Sequence, residues 1–130
     1  MKKYDEWNEV KKDLSKNKKR VSFKQRDVFW INMGQNIGYE VYGKGDEFLR
    51  PVIVFKKFSQ NTFLGIPLTT VAKDDRFHFY FKLDKNQKDN YAILSQIRLF
   101  DAKRLHDKLD KISTNEFENL KRKLKELMDI

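Results

Sequence analysis

Two short apolar runs constrain this chain more than anything else in it. The first, Arg50-Pro51-Val52-Ile53-Val54-Phe55, follows Glu47-Phe48-Leu49. The second runs Asn61-Thr62-Phe63-Leu64-Gly65-Ile66-Pro67-Leu68-Thr69-Thr70, and a polar connection from Lys56 to Asn61 separates the two. Each run is of strand length, so the pair predicts an antiparallel hairpin. Pro51, at the first position of its strand, costs no central ladder bond. In such a hairpin the start of one strand lies beside the end of the next. Arg50 is therefore expected to meet Thr69 or Thr70 at one end of the sheet. A guanidinium beside a hydroxyl there is a candidate anion or phosphate site.

The rest of the chain supplies partners for that hairpin. Tyr4, Trp7, Val10 and Leu14 recur at helical spacing, which predicts an amphipathic helix over 3–15, followed by a basic connector, Ser15 to Arg20. These form an N-terminal element, 1–20, ahead of a single globular domain, 21–130. Asp27-Val28-Phe29-Trp30-Ile31-Asn32-Met33 reads as a first strand. The stretches Gly34–Glu40 and Gly43–Asp46 hold four of the five glycines and read as a long surface loop. Phe77–Leu83 is a further strand, and Tyr91–Phe100 is expected to be the last long one. In that last strand the polar Ser95, Gln96 and Arg98 are expected near an exposed end or an interface. Asp101–His106 reads as a short helical turn. Ser113-Thr114-Asn115-Glu116 is a capping box that opens a terminal helix, with Phe117, Leu120, Leu124, Leu127 and Met128 on one face. About five closely spaced strands framed by two helices predict a mainly β (α+β) domain, a small, strongly curved antiparallel sheet or barrel.

Composition narrows the chemistry. At 130 residues the chain builds one real core, and 11 Phe and 5 Tyr supply much of its buriable area. A formal charge of +9 favours a polyanionic partner such as nucleic acid, an anionic membrane surface or an acidic protein. There is no cysteine, hence no disulfide framework or thiolate chemistry. No apolar run approaches the ~20 residues that span a bilayer, and no h-region follows the basic N-terminus. The expectation is a soluble, cytoplasmic protein with no membrane association. Two histidines and no HExxH or paired-acid cluster argue against a catalytic metal site. The absence of GxGxxG and P-loop signatures argues against a nucleotide cofactor, so no cofactor is expected.

Phosphoryl chemistry without a metal leaves attack by a ribose 2′-hydroxyl on its own 3′-phosphate. That reaction needs a permanent cation beside the developing charge, a second donor and a proton acceptor. Arg supplies the first with its rigid fork, and a Thr hydroxyl can supply the second. His78 alternates with Phe77 and Phe79 and so faces away from them, where it could exchange protons near neutral pH. His106 lies in a Lys-rich turn and reads as a surface residue.

Three segments in order resemble the MazF/PemK family of type II toxin–antitoxin toxins. They are Arg50-Pro51-Val52-Ile53-Val54, the strand end Ile66-Pro67-Leu68-Thr69, and Leu94-Ser95-Gln96-Ile97-Arg98-Leu99-Phe100-Asp101-Ala102-Lys103-Arg104-Leu105. Arg26-Asp27-Val28 and Gly38-Tyr39-Glu40 are similar to two further family motifs. The resemblance, over about residues 24–125, implies an SH3-like antiparallel barrel of the CcdB/MazF/PemK type. It also implies a homodimer, a cognate antitoxin, and a metal-independent endoribonuclease that cuts single-stranded RNA at short sequences. The family's catalytic Arg and Thr fall on Arg50 and Thr69, and Gln96 falls on a Gln near the RNA groove. Glu40, Lys44, Thr70 and His78 join Gln96 as candidate RNA contacts, with Glu40 or His78 as proton acceptor. Departures from the pattern are Ser95 for Glu, Arg26 for Gly, a longer link over 41–49, and the N-terminal helix. The alternatives are a non-catalytic toxin or an RNA-binding module of the same fold. Against a gyrase-poisoning CcdB toxin, the chain ends Leu127-Met128-Asp129-Ile130, without the Trp that those toxins carry.

Overall fold

The run Val52-Ile53-Val54 is buried at all three positions, which requires cover on both faces of its strand. A computed structural model of the chain, describing residues 21–33 and 49–130, shows how that cover is arranged. The expected helix over 3–15, and the loop with Glu40 and Lys44, lie outside the described residues. The described strands are β1 (Asp27–Asn32), β2 (Leu49–Lys57), β3 (Thr62–Thr69), β4 (His78–Lys82), β5 (Asp89–Ile93), β6 (Arg98–Asp101) and β7 (Leu105–Lys111). They precede the helix α1 (Thr114–Met128). The ladder runs β4-β5-β3-β2-β1-β7, with β6 paired to β3. All of its pairings are antiparallel. The sheet is mainly β as expected, but it is not closed: β4 and β7 are the two ends of the bonded path.

One face packs under α1. Val28, Ile53, Ile66, Leu68, Phe79, Phe81 and Ala92 meet Phe117, Leu120 and Leu124 there. The helix starts where the capping box predicts, with Ser113 Oγ accepting from the Glu116 amide at 3.2 Å. Lys123 Nζ then donates to the His78 carbonyl at 2.6 Å, fixing the helix to the first residue of β4. The other face of the sheet holds a second core of Phe23, Phe29, Ile31, Val52, Val54, Phe63, Phe100 and Leu105.

Two expectations about the third segment need correction. Tyr91–Phe100 is not one strand. β5 pairs with the end of β3, a 3-10 turn over Leu94–Gln96 follows, and β6 pairs with the beginning of β3. The pairing register on β3 advances by three residues between the two ladders, the length of the turn. Ser95 and Gln96 are polar because they sit on this turn, in mid-segment rather than at a strand end. The expected helical turn over Asp101–His106 is only a 3-10 turn at Ala102–Arg104, and Leu105 opens β7, a strand not foreseen.

Arg26, where the family resemblance leads one to expect Gly, has a visible cost. Arg26 has φ 82°, the left-handed region that glycine enters freely. Its side chain compensates, Nη1 donating to the Ile112 carbonyl at 3.0 Å. The backbone of the same residue bonds Val54 and Ile112, so it ties β2 to the segment after β7.

Candidate active site

The site is set by strand register. Arg50 lies opposite Ile31 of β1, and β2 pairs with β3 through Val52 opposite Pro67. Continuing that register by two residues puts Arg50 across from Thr69. Thr69 is in turn opposite Tyr91 of β5, and Tyr91 is opposite Tyr80 of β4. Residues directly opposed in an antiparallel ladder share a face. Arg50, Thr69, Tyr91 and Tyr80 therefore form one row across four strands. That face is away from α1, because the alternate residues Leu68, Ala92 and Phe79 line the helix-side core.

Within the row, Arg50 is half-buried and its Nη2 donates to the Leu68 carbonyl at 3.2 Å. The bond steers the guanidinium toward the end of β3. Burial lowers the Arg50 pKa, yet an arginine so placed remains a cation. Thr69 is half-buried, and its Oγ1 accepts from the Val71 amide at 3.1 Å. That contact orients the hydroxyl while leaving its own proton to be donated. Thr70, one residue past the strand, is exposed. Of the two adjacent hydroxyls, it is Thr69 that the register sets across from Arg50.

The other sequence candidates scatter. His78 starts β4 on the same face, one pair beyond Tyr80, so it lies two strands and one row from Thr69, about 12 Å between Cα atoms. Its Nδ1 is engaged with Asp75 Oδ1 at 2.7 Å, and that bond holds the Asp75 carboxyl below its ordinary range. Gln96 is exposed on the 3-10 turn between β5 and β6.

Two arginines extend the positive character of this face. Arg98 is opposite Gly65 on β3, an even number of residues from Thr69, and its guanidinium lies 4.8 Å from the Phe100 ring centroid. Arg104 reaches the Asn32 carbonyl through Nη1 at 3.3 Å. Burial first, then repulsion from nearby Arg98, lowers the Arg104 pKa. Among the described residues no group of three or more His, Asp or Glu side chains is placed to hold a metal ion. Among them, too, no helix is long and apolar enough to cross a membrane. Sequence reasoning passed over Tyr80 and Tyr91. Their place beside Thr69 depends on the β3–β5–β4 register, for which the only sequence signal is the alternation of Tyr80 with Phe79 and Phe81.

What the arrangement can do chemically is hold an anion between a fixed guanidinium and an oriented hydroxyl, with aromatic surface alongside. A family model described as the PemK-like, MazF-like toxin of type II toxin–antitoxin systems matches residues 24–128. No curated protein gives a significant match. Among solved structures, a crystal structure of MazF from Deinococcus radiodurans superposes with a TM-score of 0.64 at 17% identity, covering 85% of this chain and 99% of that one. An endoribonuclease in complex with its cognate antitoxin from a mycobacterial species gives 0.62 at 12% identity, with 84% and 97% covered. The Mycobacterium tuberculosis toxin MazF-mt6 gives 0.55 at 13% identity, with 68% and 94% covered. These likenesses establish a shared fold.

Proposed function

The chain belongs to the PemK-like, MazF-like toxins of type II toxin–antitoxin systems, and from that premise we propose that it is a sequence-specific endoribonuclease cutting single-stranded RNA without a metal ion. The observation that carries the proposal is Arg50 set across from Thr69 at the end of the β2–β3 ladder, with Arg50 steered by the Leu68 carbonyl.

In this mechanism a ribose 2′-oxygen attacks the adjacent phosphorus and the bond to the 5′-oxygen of the next nucleotide breaks. The products are a 2′,3′-cyclic phosphate and a 5′-hydroxyl. Arg50 stays charged, neutralising the phosphate and donating a hydrogen bond to it or to the leaving oxygen, which takes up the proton released from the 2′-hydroxyl by way of the acceptor or solvent. Thr69 donates a hydrogen bond to a non-bridging oxygen, where charge grows in the transition state. The 2′-hydroxyl proton needs an acceptor. His78, about 12 Å from Thr69 and held by Asp75, is better placed to touch RNA than to take it. Glu40 remains the other candidate. Lys44, Thr70 and Gln96 complete the proposed RNA contacts, and Arg98 and Arg104 add steering that weakens with salt.

We further propose that the toxin works as a homodimer in the cytoplasm and is held inactive by a cognate antitoxin lying over the same groove. The mycobacterial endoribonuclease in complex with its cognate antitoxin supports this partner class.

The test is cleavage of mixed-sequence single-stranded RNA in excess EDTA by wild type, Arg50→Ala and Thr69→Ala. Wild type is expected to leave cyclic-phosphate ends, and loss of either donor should lower kcat by about 10²–10³-fold. Intact RNA with wild type across many sequences would remove the nuclease reading in favour of a binding module. Undiminished cleavage by Arg50→Ala would refute the mechanism alone.

A further inference from the structure

Beyond Thr69 the site row continues into two tyrosines that the cleavage chemistry does not use. The rings of Tyr80 and Tyr91 lie 5.4 Å apart between centroids and are tilted by 50°. Tyr80 is 47% exposed, so much of its ring is open to a ligand from solvent. Its hydroxyl donates to Asp89 Oδ1 at 2.8 Å, which fixes the ring's direction before any ligand arrives. Strands are spaced by about 4.8 Å, so Tyr91 is one strand from Thr69 and Tyr80 is two. A phosphate gripped between Arg50 and Thr69 would place a neighbouring base over this pair.

We propose that Tyr91, backed by Tyr80, is a stacking platform for the unpaired base next to the scissile phosphate on the β5 side, and so helps to decide which RNA is cut. The proposal rests on the ribonuclease reading above and deepens it. Aromatic rings stack every base through its π-face, and removing such a ring weakens single-strand binding by ~1–3 kcal/mol per base, or about 5- to 150-fold. A ring already oriented loses little freedom on binding. The same pair also braces the sheet as a cross-strand contact. The experiment must therefore separate bracing from stacking.

The probe is an oligoribonucleotide carrying a site that wild type cuts, together with versions lacking the base on either side of the cut. Tyr91→Leu is expected to raise KM about 5- to 150-fold with a smaller change in kcat. Tyr91→Phe should recover most of that loss. Tyr80→Leu, at an exposed ring whose removal leaves the core intact, should give a smaller rise in KM. Deleting the stacked base should cost wild type by the same factor but cost Tyr91→Leu almost nothing further. Full additivity of base deletion and Tyr91→Leu on both sides of the cut would overturn the platform. So would a change of oligomeric state in both Leu variants at equal concentration, which would make the pair a protein contact. A wild type that neither binds nor cuts RNA would instead bring down the ribonuclease reading, and the platform with it.

Discussion

Gly65 of β3 pairs with Val54 of β2 on one side and Arg98 of β6 on the other, and its replacement by alanine tests the packing of the face that carries the site. A Cβ at this position would stand 2.7 Å from Val52 Cγ1, 2.8 Å from Phe100 Cδ2 and 3.0 Å from Phe100 Cε2. Carbon atoms at rest are about 3.5–4.0 Å apart, so these contacts are short by roughly 0.5–1.3 Å. Neither neighbour can step aside freely. Val52 is fully buried, and the Phe100 ring stacks on Phe63 at 5.6 Å. Overpacking of this kind costs about 1–3 kcal/mol. For a chain of this length that lowers Tm by about 3–15 °C. Urea unfolding should show a lower midpoint with an unchanged m-value, the mark of a native-state penalty. In a Phe100→Leu background the ring's share of the clash disappears. The Gly65→Ala penalty should shrink there, giving a coupling of about 0.5 kcal/mol or more. An unchanged midpoint for Gly65→Ala, or an equal penalty in both backgrounds, would refute the steric account.

Two further changes probe the backbone and the buried charge. At Arg26, Arg26→Gly should be more stable than Arg26→Ala by about 1 kcal/mol, since both lose the bond to Ile112 but only alanine keeps the left-handed strain; paired urea melts measure the difference. Asp110 is 5% exposed. Burial raises its carboxyl pKa, but amide donors from Asn86, Lys111 and Lys85, with the charge of Lys85, more than offset this and leave the pKa below its ordinary value. A depressed carboxyl contributes stability above the unfolded value of about 3.9 and loses it as pH falls through the folded one. Asp110→Asn should therefore cost about 1–3 kcal/mol at pH 7, with the gap to wild type narrowing below about pH 4. A gap that stays constant down to pH 2.5 would show that the carboxylate's charge is not what these amides recognise.

The parts of the fold legible in the sequence are those whose pattern reports a single environment. The β2–β3 hairpin has two apolar runs, and α1 has a capping box and an apolar stripe; both lie where they were expected. β7 was missed because Leu-His-Asp-Lys-Leu-Asp-Lys has two apolar residues and five polar ones. An edge strand carries such charges to discourage pairing with other chains. The interruption at Leu94–Gln96 was misread because polar residues in an apolar run mark either an exposed end or a looped-out turn, and only the β3 pairings distinguish them. The site follows the same logic. Arg50 and Thr69 were visible because one hairpin joins them. Tyr91 and Tyr80 were not, since two further registers are needed to bring them into the row.

β3 is bonded to β2 along one edge and to both β5 and β6 along the other. Neither half of the sheet can peel away without opening that strand, whereas β4 and β7 can fray alone. Amides in the middle of β3 should thus be among the last to exchange with deuterium, opening only when the whole domain does. Thr69 is carried on this slowest-opening element, so its position is insured against the local breathing that would blur a site built on an edge.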